Sequence, residues 1–299
     1  MKSWLPYTAV VTAFGALLAA PLSAQGYSPK ECPSCAGWNA PHAPTKLFGN
    51  SYYVGTDGLS AILITSPAGH VLIDGGLPES ASLILQNIVA LGFRVQDVKL
   101  ILNSHDHYDH AGGIAELARA SGAVVAASAS SAKTMRAGIS GANDPQYALL
   151  LAYPAVPRVR EIADGDTVRV GALSLVAHFT PGHTAGGTTW SWRSCEGARC
   201  LDMVYADSQT PISDSAFRYA SDPRYPTAAA DFARGHALIE QLRCDVLITP
   251  HPSATKLWER LAATGDSPGL VDANACARYA ATSRAALAKR LATEASSRF

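Results

Sequence analysis

Asn103-Ser104-His105-Asp106-His107-Tyr108-Asp109-His110-Ala111-Gly112-Gly113 follows an apolar run, Val98-Lys99-Leu100-Ile101-Leu102. The run reads as a buried strand and the segment from Ala111 to Ala120 as a helix, so the histidines stand at the exposed end of a strand. His105 and His107 are two residues apart, and an extended backbone points both the same way. Asp109 and His110 come where the chain turns into the helix. Three histidines and an aspartate within six residues cost stability unless a cation neutralises them. One tetrahedral ion cannot use all four. Two ions can, one taking His105 and His107, the other Asp109 and His110. Each ion then needs another protein ligand.

Two candidates follow strands elsewhere. His183 lies in Thr180-Pro181-Gly182-His183-Thr184 and His251 in Thr249-Pro250-His251-Pro252. Proline stiffens both loops, which suits a ligand that must hold its direction. His42, His70, His178 and His236 have no such setting and read as core or surface residues.

Around these loops the pattern alternates between strands and helices. Strands are expected at Tyr52–Val54, Ala61–Ile64, His70–Asp74, Val98–Leu102, Thr167–Val170, Leu173–Phe179, Thr188–Trp192, Leu201–Ala206 and Val246–Thr249. Helices are expected at Pro78–Leu91, Ala111–Ala120, Ser131–Ala137, Thr227–Leu242 and from Ala254 and Asp272 onward. Strand clusters flanked by helices give an α/β (α+β) fold, with two mixed sheets packed face to face and helices outside. No linker separates the halves, so residues 25–299 read as a single domain.

The chain has 299 residues, 48% of them hydrophobic, with 24 Lys+Arg against 24 Asp+Glu. That is ample apolar material for a large core. Zero formal net charge argues against a nucleic-acid partner, which would select a basic patch. Met1-Lys2, an apolar run from Trp4 to Ala20 and Pro21-Leu22-Ser23-Ala24 match a secretory signal peptide, 1–24, cut after Ala24. The run is short for a membrane span, so the mature protein is expected to be exported and free of the membrane. Six cysteines in an exported chain suggest disulfides. Cys195 and Cys200 flank a short turn and are expected to pair. Cys244 with Cys276 would staple the last helical segment to the core. Cys32 and Cys35 then remain for each other, the rival readings of this CxxC being a redox pair or half a zinc site.

HxHxDHAGG, a later Pro-Gly-His-Thr and a last histidine after a strand resemble the metallo-β-lactamase superfamily. The resemblance covers nearly the whole mature chain and implies a four-layer αββα sandwich with a dinuclear site at the sheet edges. Hydrolases of several substrate classes share it, so it fixes the scaffold better than the substrate. Val204-Tyr205-Ala206-Asp207-Ser208-Gln209-Thr210 narrows the choice. Asp207 and Ser208 are neighbours, and strand alternation lets only one face the ions. With Ser208 inward and Asp207 away, the segment resembles subclass B3 metallo-β-lactamases. With Asp207 inward, it resembles exported lactonases or glyoxalase-like hydrolases, in which an aspartate bridges the metals. Gly55-Thr56, Ser60-Ala61, Asp144-Pro145-Gln146, Trp190-Ser191-Trp192-Arg193-Ser194-Cys195-Glu196 and Pro250-His251-Pro252-Ser253-Ala254 resemble the Adelaide imipenemase branch of subclass B3. That branch bonds its N-terminal cysteine to one in the following hairpin, where this chain has Asp57.

The resemblance implies two Zn2+ per chain. His105, His107 and His183 would hold one, and Asp109, His110 and His251 the other. It implies hydrolysis of the β-lactam amide of penicillins, cephalosporins and carbapenems by metal-held hydroxide, hence antibiotic resistance, in a periplasmic monomer. Asp109 would also orient the nucleophile. Ser208 and Thr210 would hydrogen-bond the substrate carboxylate, and Gln146 would lie on a loop covering the site. Ser208 stands in neither an SxxK nor a GxSxG pattern, so no covalent acyl-enzyme is implied. Trp190 and Trp192 read as core residues, and Asp74 as a support for the ligand loop.

Overall fold

The computed structural model describes Met1, residues 32–264 and residues 269–296; beyond Met1, the expected leader lies outside the described residues. Two sheets carry the fold. The first runs in spatial order β1 (Thr45–Phe48), β2 (Ser51–Tyr53), β3 (Ile62–Ile64), β4 (His70–Ile73), β5 (Val98–Leu102), β6 (Val124–Ser128) and β7 (Val159–Ile162). Its first four strands are antiparallel, and β4 to β7 run parallel. The second contains β8 (Thr167–Val170), β9 (Leu173–Phe179), β10 (Thr188–Glu196), β11 (Arg199–Tyr205) and β12 (Val246–Ile248), ordered β12-β11-β10-β9-β8 with only β11 and β12 parallel.

The two-residue period of the strands sorts side chains into layers. Ile62, Ile64, Val71, Ile73, Leu100 and Leu102 face the second sheet, meeting Trp190, Trp192, Met203, Tyr205, Val246 and Ile248 in one buried cluster. The alternate residues Leu63, Leu72 and Ile101 face outward, onto Ile84 and Ile88 of α2 (Ser80–Ala90) and Leu117 of α4 (Ile114–Ser121). On the far side Val204 and Leu247 meet Ile239 of α6 (Ala228–Gln241) and Tyr279 and Ala280 of α8 (Ala275–Ser296). The layers are therefore helix, sheet, sheet, helix, as the sequence pattern implied. The remaining helices are α1 (Cys35–Trp38), α3 (Tyr108–Ala111), α5 (Ala129–Ala137) and α7 (Leu257–Ala262).

Some elements differ from expectation. The helix expected over Ala111–Ala120 is broken into α3 and α4. At the break Gly113 donates to Gly76 O at 3.1 Å, and a Cβ on Gly113 would lie 2.2 Å from Gly75 O. The close approach needs glycine there, and it leaves α3 as a single turn presenting Asp109 and His110. Strands β1, β6 and β7 escape the pattern. Val124-Val125-Ala126-Ala127-Ser128 is too alanine-rich to read as a strand, and Val159-Arg160-Glu161-Ile162 is an edge strand with two exposed charges.

Disulfides join Cys32–Cys35, Cys195–Cys200 and Cys244–Cys276. Cys195 and Cys200 face each other across the β10–β11 hairpin. Cys244–Cys276 ties the start of α8 to the core and closes a separation of 32 residues, about 3–4 kcal/mol in the chain-entropy account. Replacing both by serine is expected to lower the thermal midpoint by several degrees, whereas the same change at Cys32–Cys35, which closes a separation of 3, lowers it far less. Differential scanning calorimetry under non-reducing conditions checks the contrast.

Candidate metal centre

β5 ends at Leu102, and the chain beyond it must turn sharply to bring four donors together. Asp74, at the end of β4, organises this turn. Its carboxylate accepts from Ser104 N at 2.7 Å, Ser104 Oγ at 2.6 Å, Asn103 Nδ2 at 3.2 Å and Tyr205 Oη at 2.8 Å. Asp74 is fully buried and adopts a positive φ of 61°, a left-handed conformation that costs a non-glycine residue energy.

The turn brings the rings together. Centroids of His105, His107 and His183 are 4.9 Å apart in all three pairings, and one donor atom from each lies within 4.8 Å of the others. A second, overlapping group that could hold a metal is His105, Asp109 and His110. His251 completes that side. Asp109 Oδ2 is 3.3 Å from His110 Nε2 and 3.4 Å from His251 Nε2, and the two Nε2 atoms are 3.2 Å apart. Ligands about 2.0–2.1 Å from a tetrahedral ion stand about 3.3–3.4 Å from one another, so this triangle has the size a metal requires.

Each ring but one has its outer nitrogen held by the protein. His105 Nδ1 is 2.8 Å from Asp207 Oδ1, His107 Nε2 is 3.0 Å from Asp144 Oδ2, His183 Nδ1 is 2.9 Å from Thr210 O and His251 Nδ1 is 3.3 Å from Gly58 O. For His110 the described residues show no hydrogen-bond partner for buried Nδ1. Such bonds fix the tautomer and aim the opposite nitrogen. His105 Nε2 is buried without a hydrogen-bond partner among the described residues, which is what a nitrogen aimed at an ion looks like. The positive φ of Gly182, 140°, turns the chain so that His183 projects inward, and a Cβ there would strike the Phe232 ring at 2.5 Å.

The electrostatics point the same way. Asp74, Asp106, Asp109, Asp144 and Asp207 are all buried, and among the described residues none forms an ion pair with a lysine or arginine. Burial lowers His105 well below the usual imidazole range, helped by His110, His107 and His183. It takes His183 down to about 3, with His107 adding to the effect. Burial also pushes Asp207 far up, so both groups tend to their neutral forms. Against the pull of burial, Asp144 raises His107 and His107 lowers Asp144, the signature of an ion pair. Asp109 lies well below the carboxylate range despite burial, because His110 and His251 surround it. Imidazoles held low at His105 and His183, with an ionised Asp109, are ligand forms a divalent cation takes.

The sequence-derived residues fall as follows. His105, His107, His183, Asp109, His110 and His251 converge. Ser208 is buried and follows Asp207 in the chain, and the exposed Thr210 lends its carbonyl to His183. The Gln146 amide is 3.3 Å from His183 Nε2. Asp207 corrects expectation, since it neither faces away nor reaches the space among the ligand nitrogens; its carboxylate stands behind His105. Strand alternation does not govern it because β11 ends at Tyr205. Asp144 was not assigned a role from sequence. The Asp-Pro-Gln turn was the available signal, and nothing in its spacing links it to His107. Two SxxK stretches do occur, Ser130–Lys133 and Ser253–Lys256, but both lysines are exposed, unlike the desolvated base a serine nucleophile needs. His42 stacks on Trp258 at 3.9 Å, His178 bonds Ser191 Oγ at 2.7 Å, and the buried His236 is held down to about 4 by burial and Arg284.

A family model described as the metallo-β-lactamase superfamily matches residues 47–263, spanning both sheets and all six converging side chains. The chain belongs to the metallo-β-lactamase superfamily. Within that superfamily it is similar to Rm3 metallo-β-lactamase, with 55% identity and TM-score 0.85 over 88% of this chain and 98% of that one. It is similar also to MEM-A1, a subclass B3 metallo-β-lactamase from a soil metagenome library, with 49% identity and TM-score 0.84 over 87% and 99%. SMB-1, solved with 2-mercaptoethanesulfonate, aligns at 42% identity and TM-score 0.82 over 86% and 99%. Among curated proteins, a hydroxyacylglutathione hydrolase of Gloeobacter violaceus is 32% identical over 130 residues, 43% of this chain. The match spans 42% of that relative's length. Among the described residues, no helix of this superfamily member is long and apolar enough to cross a membrane.

One expectation follows directly. Asp207→Ala removes the nearer partner of His105 Nδ1, leaving only Ser104 Oγ at 3.3 Å, and loosens the ring's tautomer and direction. Metal affinity is expected to fall roughly 10–100-fold, read by competition with a chromophoric chelator. Unchanged affinity would show that Asp207 does not set the direction of His105.

Proposed function

We propose that this chain is a subclass B3 metallo-β-lactamase using two zinc ions. The observation that carries the reading is the His105–His107–His183 cluster beside the Asp109–His110–His251 triangle, with Asp207 drawn behind His105, so that the Asp207 carboxylate holds His105 and is in neither group. The similarity to subclass B3 structures over nearly their whole length supports it. His105, His107 and His183 would hold one ion, and Asp109, His110 and His251 the other. Bound zinc supplies Lewis acidity, polarising the lactam carbonyl and lowering the pKa of water from 15.7 to about 7.

The chain's own groups do the rest. Asp109 accepts a hydrogen bond from the attacking water and fixes its approach to the carbonyl carbon. Ser208 and Thr210 hydrogen-bond the substrate carboxylate, and Gln146 donates its amide from the loop opposite. Water adds its oxygen to the carbonyl carbon and gives up a proton to solvent, the C–N bond breaks, and the leaving nitrogen takes a proton back from solvent, so that a carboxylate and an N–H replace the amide. No side chain forms a covalent intermediate. In this reading residues 1–24 are an export leader and 25–299 a single periplasmic, monomeric domain, in keeping with the three disulfides. Penicillins, cephalosporins and carbapenems are the substrates.

The test is a direct comparison. Zinc-loaded protein is assayed on benzylpenicillin and a carbapenem, and in parallel on a glutathione thioester and an acyl-lactone. The expected kcat/KM is at least about 100-fold higher for the β-lactams. The reverse preference would replace this reading with a lactonase or thioesterase.

A further inference from the structure

His183 sits between two loops. Thr210 O lies 2.9 Å from its Nδ1, and the Gln146 amide lies 3.3 Å from its Nε2. Those loops are stitched together away from the ring, where Asp214 N donates to Pro145 O at 2.8 Å and Ala148 N donates to Asp214 Oδ2 at 3.3 Å. The loop-to-loop contacts do not depend on Gln146 or on His183 Nε2, the nitrogen left for a metal once Thr210 O holds Nδ1; Asp214 alone ties its loop to Pro145 and Ala148.

Residues 210–216 have little else to hold them. Ile212 is 52% exposed, and a cavity of about 650 Å³, lined among others by Thr210, Ile212, Asp214, Lys289 and Arg290, separates the segment from α8. Apolar anchoring resumes only at the buried Phe217 and Tyr219. Polar contacts therefore set the path between. Arg290 Nη2 donates to Ser213 Oγ at 2.7 Å, and Tyr219 Oη to Ile212 O at 2.7 Å. Asp214 is the buried member, 5% exposed. Its Oδ1 accepts from Ala216 N and Phe217 N, each at 2.9 Å, which leaves Oδ2 for the other loop.

We propose that Asp214 is a positioning residue that locks the 144–148 and 210–216 loops to each other around His183 and so sets the width of the substrate mouth. The link to substrate rests on the β-lactamase reading; the link between the loops does not. Asp214→Asn isolates the role. Its Oδ1 still accepts from Ala216 and Phe217, but its Nδ2 meets the Ala148 N–H, donor against donor.

Amide hydrogen exchange at single-residue resolution is measured on the metal-free and zinc-loaded protein. Exchange at Ala148 is expected to accelerate at least about tenfold while Ala216 and Phe217 stay protected. In steady state, KM for a bulky cephalosporin is expected to rise about three- to tenfold, with kcat held within about twofold and metal content unchanged. Ser213→Ala serves as a control. It removes the Arg290 contact, leaves Asp214 in place and is expected to leave Ala148 protected. Unchanged exchange at Ala148 in Asp214→Asn, or equal loss of protection at all three amides with loss of metal, would overturn the proposal. So would an unchanged KM. A wild-type protein inactive on every β-lactam would instead sink the β-lactamase reading, with the exchange result still deciding the lock.

Discussion

Asp109→Ala is expected to lower β-lactam turnover by at least about a thousandfold, some 4 kcal/mol of transition-state stabilisation, while leaving the metal-free fold standing. The carboxylate is one corner of the 3.2–3.4 Å triangle with His110 and His251. In the proposed mechanism, removing it costs one ion a charged ligand and frees the attacking water from its hydrogen-bonding partner. The stability effect is small for a separate reason. Asp109 is 6% exposed and its carboxylate meets His110 and His251 with no lysine or arginine ion pair among the described residues, so its removal costs those contacts but leaves no permanently charged side chain unpaired. Steady-state kinetics with zinc in excess, paired with thermal melts of the metal-free proteins, separates the effects. Full turnover in the variant would show that the cluster is not the reaction centre.

Asp74→Ala is expected to act in the opposite sense, through the fold. Its carboxylate serves donors from Asn103, Ser104 and Tyr205, all buried. Truncation takes the acceptor from Ser104 N and Ser104 Oγ and leaves Asn103 Nδ2 and Tyr205 Oη only their second contacts, to His105 O at 2.7 Å and Ser60 O at 3.3 Å, at about 1–3 kcal/mol for each group left unpaired. The alanine must also keep a φ near 61° with no polar side chain to compensate. A total loss of about 3–5 kcal/mol is expected, within the range reached when a buried network is broken. Chemical denaturation measures it. Asp74→Asn, which tolerates the backbone conformation better but presents an amide to amide and hydroxyl donors, should recover only part. A loss below about 1 kcal/mol would mean that the turn after β5 is held by something else.

Those two residues mark what could be read from the chain alone. Asp109 stands in a run of donors so dense that a cation is the simplest account of it, and the flanking apolar run places that cluster at a strand end. His183 and His251 were legible because each follows a strand in a proline-stiffened loop. The layers were legible because strands such as Ile62–Ile64 and Val71–Ile73 are apolar on both faces, which requires cover on both sides. Asp207 resisted because two-residue alternation lapses once the chain leaves β11 at Tyr205. Asp144 and Asp214 resisted more completely. Their partners, His107 and Ala148, lie 37 and 66 residues away, across loops whose paths depend on tertiary contacts and not on any period in the sequence. The same holds for Gly112-Gly113, which reads as helix interior until the approach of Gly75 and Gly76 is known.

In the proposed reading two metal ions, held by His105, His107, His183, Asp109, His110 and His251, make this chain a β-lactam hydrolase. Elemental analysis of the dialysed protein, run alongside carbapenem hydrolysis during titration with a strong chelator and then with zinc, tests it most directly. The account predicts about two zinc equivalents per chain, activity that falls as they are withdrawn and activity that returns when zinc is restored. Undiminished carbapenem turnover in protein stripped of metal would contradict it.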